Sequence, residues 1–92
     1  MRGIVLAAVA GTALALGTAT PLSLGRQLQA ITPIQGALDP VVLRSGGPAL
    51  DAQIDGILDA WGHGPLIFNL GHGIFPDTPI AHVEHALQRI RA

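Results

Sequence analysis

The stretch Pro65-Leu66-Ile67-Phe68-Asn69-Leu70 limits the possible folds more than any other part of the chain. An apolar run of strand length with no polar alternation reads as a strand buried on both faces, as in a parallel sheet covered by helices. Helical patterns flank it on both sides. From Pro48 to Trp61, Leu50, Ile54, Ile57, Leu58 and Trp61 recur at i, i+4, i+7, i+8 and i+11, while Asp51, Gln53, Asp55 and Asp59 fall mostly off that stripe. Gly46 and Gly47 precede this helix, and Gly62 and Gly64 stop it. After the run, Thr78 and Pro79 make an N-cap and first-turn pair, with Asp77 beside them as a capping residue. Ile80, Val83, Leu87 and Ile90 form the apolar stripe of the last helix, and Arg89 and Arg91 near its end suit the helix dipole.

The same alternation extends toward the N-terminus. Ala13 to Leu16 is a short apolar strand closed by Gly17. Pro21 to Gln29 places Leu24 and Leu28 on one helix face, and Ile31 to Gly36 reads as a strand with Pro33 among its first residues. Strand, helix, strand, helix, strand, helix with short connections predicts α/β architecture with parallel strands. Three strands leave two open edges, so the chain is expected to be part of something larger or to assemble with copies of itself.

At 92 residues there is room for one small domain. Five arginines, no lysine, six acids and a net charge of -1 provide no basic stripe for nucleic acid. The absence of cysteine removes disulfides, thiolate chemistry and cysteine-based zinc sites. The first 22 residues have the outline of a secretory signal peptide, with one arginine, an apolar run from Ile4 to Leu16 and small residues near Ala15 and Ala19. That run is too short and too rich in Gly and Ala for a transmembrane helix. Its competing reading is a helix end followed by a buried strand.

In parallel α/β folds, ligands meet the loops after the carboxyl ends of the strands. Here those loops are residues 17–20, 36–40 and 71–77, each opened by a glycine. His72 is the strongest candidate, because an imidazole at a strand end can contact a carboxylate or carry a proton near neutral pH. A loop histidine bonded to a neighbouring carbonyl is the plainer reading. Asp39, before Pro40, reads as a turn or cap residue. His82 and His85 share a helix at i, i+3 but lack a third ligand at zinc spacing, so no metal site is expected. Neither a phosphate-loop nor a dinucleotide fingerprint occurs, and no serine sits in a nucleophile elbow.

Ile34-Gln35-Gly36-Ala37-Leu38-Asp39-Pro40 and the later Asn69-Leu70-Gly71-His72-Gly73-Ile74-Phe75-Pro76-Asp77-Thr78-Pro79 together resemble the C-terminal third of uroporphyrinogen decarboxylases. Thr18 to Leu22 and the helix after it resemble the segment just upstream. The resemblance covers about residues 12 to 92, with residues 1–11 matching poorly. It implies the last three β/α units of a TIM (β/α)8 barrel, a fold of about 250 residues that is incomplete in this chain. It also implies a cytoplasmic homodimeric carboxy-lyase of haem biosynthesis that removes the four acetate carboxyls of uroporphyrinogen III, giving coproporphyrinogen III. No metal or organic cofactor is implied, since protonating a pyrrole carbon makes the ring its own electron sink. His72 matches the histidine of the family's cleft, which assigns it substrate contact and a part in proton delivery.

Ala37 stands where the family usually has Asn, and Gly17 where many members carry Asp. The family's arginine-rich N-terminal segment, and its cleft aspartate, tyrosine and serine, have no counterpart in these residues. The isolated chain is therefore expected to be inactive. A strand matching the family inside the apolar run also weakens the signal-peptide reading. The alternative from another class is a small secreted or self-associating module without catalysis, led by that signal peptide.

Overall fold

The computed structural model describes residues 9–10, 13–71 and 73–92. Four strands form one sheet in the order β1 (Val9–Ala10), β2 (Ala13–Ala15), β3 (Ile34–Leu38) and β4 (Leu66–Leu70). The last three run parallel, Leu14 pairing with Ile34 and Ile34 with Leu66, so the expected α/β architecture is present. β1 was not foreseen: it pairs antiparallel with β2 and covers an edge that the sequence reading left open. Of the apolar N-terminal run, Ala13–Ala15 lies in the sheet, whereas residues 1–8, 11 and 12 lie outside the described residues. Among the described residues no helix is long and apolar enough to cross a membrane.

Among the described residues the helices are α1 (Leu22–Gln29), α2 (Pro40–Ser45), α3 (Gly47–Trp61) and α4 (Ile80–Arg91). α3 is the centre of the packing. Its stripe residues Leu50, Ile54, Ile57 and Trp61 are all buried, as the spacing predicts, and Leu50, Ile54 and Trp61 join Ile34 as the largest fully enclosed side chains. Each such side chain contributes about 1.5–3 kcal/mol by leaving water. Trp61 also ties α3 to α1: its indole N–H donates to the Leu22 carbonyl at 2.8 Å, and its own carbonyl accepts from Gln29 Nε2 at 2.8 Å. Arg26 adds a cap to α3, donating to the carbonyls of Ala60 and Asp59.

Four expectations need correction. The middle strand starts at Ile34 rather than Ile31, because the chain is still turning off α1, with the Ile31 and Thr32 amides donating to Leu28, and Ile31 is 82% exposed. The Asp39-Pro40 turn begins a short helix, α2, that the sequence reading missed. In α4 the inward stripe is Val83, Ala86 and Ile90, while Ile80 and Leu87 are exposed. β4 is not buried on both faces: Leu66, Phe68 and Leu70 pack against the core, but Ile67 is 49% exposed and Asn69 is open beside it.

Gly36 explains how β2 and β3 come so close. Its φ is +136°, and a Cβ there would lie 2.5 Å from the Leu16 carbonyl oxygen, so any other residue would be strained and would also collide.

Candidate functional site

The loops led by Gly17 and Gly71 meet at the carboxyl ends of the parallel strands, whereas Gly36, expected to open the middle loop, lies inside β3 because the strand runs on to Leu38. Leu16 N–H donates to the Gln35 carbonyl at 2.7 Å, and Gly71 N–H donates to the Leu38 carbonyl at 2.9 Å, which extends the pairing past the end of β4. Gly71 also lies directly against Thr18, where a Cβ would overlap the Thr18 hydroxyl and amide. The loop after the last strand is thus seated on the loop after the first at the residue preceding His72. His72 itself lies outside the described residues.

Around this junction the polar groups among the described residues are few. Gly17 is buried and offers no side chain, and Ala37 is buried at the end of β3. Thr18 and Thr20 have buried hydroxyl oxygens with no hydrogen-bond partner, and Thr20 is only 6% exposed. An unpaired buried hydroxyl costs about 1–3 kcal/mol, so two in one loop call for a reason. Sequence reasoning missed both, since a threonine in a loop carries no signal of its burial.

The two acids read as capping residues separate. Asp39 is the N-cap of α2, accepting from Val41 N–H at 2.9 Å, and its own N–H donates to Gln53 Oε1 at 2.5 Å, so the cap reading holds. Asp77 does not cap α4. Pro79 occupies the N-cap position without a side-chain hydrogen bond, and Asp77 lies two residues upstream, 3.8 Å from Arg44. Both side chains are largely exposed, which makes that pair weak. Arg44 also lies 4.3 Å from the centre of the Phe75 ring, a cation–π contact that holds the 71–79 loop to α2. The Thr78 hydroxyl is buried without a partner rather than capping.

His82 and His85 face different partners. His82 Nδ1 lies 3.0 and 3.1 Å from the carbonyls of Leu43 and Arg44, so a proton on Nδ1 caps the end of α2. His85 Nε2 lies 2.6 Å from Asp51 Oδ1. Beside it Arg89 makes a two-pronged contact to Asp55 at 2.9 and 2.7 Å. That guanidinium holds the Asp55 carboxyl below its usual range, and the carboxylate in turn raises the arginine. The Asp51–His85 and Asp55–Arg89 contacts join α3 to α4.

The family model for uroporphyrinogen decarboxylase matches residues 5–92, nearly the whole chain. The chain belongs to the uroporphyrinogen decarboxylase family. The match starts ahead of the region where the sequence blocks are recognisable by eye. A protein of Caulobacter vibrioides named uroporphyrinogen decarboxylase is 57% identical over 76 residues, 83% of this chain and 22% of the relative. One of Maricaulis maris with the same name is 56% identical over 81 residues, 87% of this chain and 24% of the relative. A Sphingopyxis alaskensis protein, also so named, is 64% identical over 59 residues, 64% of this chain and 17% of the relative. The chain thus spans under a quarter of the length of these uroporphyrinogen decarboxylases, and nothing in the comparisons favours a non-catalytic secreted module.

Proposed function

We propose that the chain supplies the last three β/α units of a (β/α)8 barrel that decarboxylates uroporphyrinogen to coproporphyrinogen, with residues 1–92 forming part of that one domain. The observation that carries this reading is the meeting of the loops led by Gly17 and Gly71 at the carboxyl ends of β2 and β4, beside the end of β3, where barrel enzymes place their chemistry. The open face of β4, bearing Ile67 and Asn69, is the side that would line such a barrel. A cytoplasmic homodimer belongs to the same reading.

In this arrangement His72 contacts a substrate carboxylate and passes a proton near the reacting pyrrole carbon. An imidazole suits both tasks because its ordinary pKa lies near neutrality. The seat of Gly71 on Thr18 and on the Leu38 carbonyl fixes the backbone leading into His72. The units that hold the rest of the substrate lie beyond these 92 residues, so the chain alone should not turn over.

The test is a chimera in which these residues replace the matching segment of the Caulobacter vibrioides protein. Production of coproporphyrinogen from uroporphyrinogen supports the reading. A folded chimera that binds no tetrapyrrole would refute it.

A further inference from the structure

The loop that carries His72 is held on both sides of it. Upstream, the Gly71 N–H donates to the Leu38 carbonyl at 2.9 Å, and Gly71 lies against Thr18. Downstream, the Arg44 guanidinium sits 4.3 Å from the centre of the Phe75 ring, within the range of a cation–π contact, and 3.8 Å from the Asp77 carboxylate. A turn brings both partners to the one arginine, closed by the Thr78 N–H donating to the Phe75 carbonyl at 3.1 Å.

The backbone of Arg44 is fixed separately from its side chain. His82 Nδ1 lies 3.0 and 3.1 Å from the carbonyls of Leu43 and Arg44, and Gly46 leaves room for the imidazole, since a Cβ there would come within 2.7 Å of the ring. The end of α2 is thus tied to α4 through main-chain atoms, which leaves the guanidinium for the loop. With that side chain in place, residues 72–74 span the gap between the two holds. Without it, the next backbone hydrogen bond tying the loop to a helix, among the described residues, runs from the His82 N–H to the Pro79 carbonyl at 3.0 Å, and the span grows to residues 72–78. A longer span samples more arrangements, whereas a proton-transfer group works only within a narrow geometry.

We propose that Arg44 is a positioning residue for His72: by holding Phe75 and Asp77 it fixes the downstream end of the His72 loop against α2. Its effect on turnover rests on the decarboxylase reading, whereas its hold on the loop does not. An arginine with a merely structural role would instead fasten α2 to α4, a task that His82 performs on the carbonyls.

Two measurements test it. In the 92-residue chain, backbone amide relaxation should give order parameters of about 0.85 at Gly73 and Ile74, falling below about 0.6 in Arg44→Met and in Phe75→Leu, while Leu43 and Val83 keep their parent values. In the chimera, Arg44→Met should lower kcat/KM about two- to five-fold, the factor set by an exposed cation–π contact, and should add no further loss once His72→Asn is present. Loop amides already mobile in the parent, loop amides unchanged in both variants, a matching loss of order at Leu43 and Val83, or an equal loss of turnover in the His72→Asn background would overturn the proposal. A chimera without any turnover would refute the decarboxylase reading alone, and the relaxation data would then decide for or against the hold by Arg44.

Discussion

Two glycines inside helices should respond in opposite directions to the same change. In α1, a Cβ added at Gly25 would overlap the six-membered and pyrrole edges of the Trp61 indole. In α3, a Cβ added at Gly56 meets nothing within 4 Å. Alanine in a helix interior is favoured over glycine by about 0.8–1 kcal/mol. At Gly56 that gain stands alone, so Gly56→Ala should stabilise by about 0.5–1 kcal/mol. At Gly25 the gain is offset by overpacking, which costs about 1–3 kcal/mol. The indole has no room to retreat, because it is fully enclosed and its N–H is held by the Leu22 carbonyl at 2.8 Å. If the ring moves, that hydrogen bond is lost as well, adding about 1 kcal/mol. Gly25→Ala should therefore destabilise by about 1–3 kcal/mol. For a domain of this size the midpoint shifts by about 4–8 °C per kcal/mol, so Gly25→Ala should melt well below the parent and Gly56→Ala slightly above it. Urea and thermal unfolding, followed by far-ultraviolet circular dichroism and Trp61 emission, measure both. A Gly25→Ala protein as stable as the parent would refute the α1–α3 packing derived from Trp61.

Three further outcomes follow from the contacts. The Asp55 carboxyl is held below its ordinary value by Arg89, so its contribution to stability is present above pH about 4, the unfolded value, and fades as pH falls through the lower folded value. Asp55→Asn should flatten that acid limb in a series of urea melts from pH 6 to 2, and an unchanged limb would contradict the pairing. Gly71→Ala forces the loop off Thr18; in the chimera it should lower decarboxylation while the circular dichroism of the fold is kept. Asp77→Ala should change the unfolding free energy by no more than about 1 kcal/mol in urea melts, because its pairing with Arg44 is exposed, and a larger loss would contradict that.

The elements were legible wherever a pattern was long. The α3 stripe appears in the fold as the spacing predicts, since five apolar residues on one helical face over about three turns leave few other arrangements. The β4 boundaries were also legible, but its environment was not: an unbroken apolar run reports the strand's usual surroundings, whereas here one face of the sheet is open at Ile67. Short signals misled. Ile31 and Thr32 have the composition of a strand but are held by backbone bonds to Leu28, and Asp39-Pro40 carried a helix start that its shortness hid. In α4, Ala86 faces inward where Leu87 was expected, a choice made by packing on α3 rather than by hydrophobicity. At the site, Gly36 sits inside β3, whereas Gly17 and Gly71 were visible as strand-end punctuation. Their purpose was not, because the contact of Gly71 with Thr18 joins residues far apart in the chain. The same holds for the links from α3 to α4 through Asp51, Asp55, His85 and Arg89, whose partners are 34 residues apart.

The most direct test of the central claim is the turnover of uroporphyrinogen by the chimera carrying His72 and by the same chimera with His72→Asn, each measured across pH 5.5 to 8. With a positioned acid–base group contributing about 10²–10⁴-fold, the account predicts coproporphyrinogen from the first and a kcat/KM lower by about that factor in the second, with the fold intact. Equal turnover and equal pH profiles for the two proteins would contradict it.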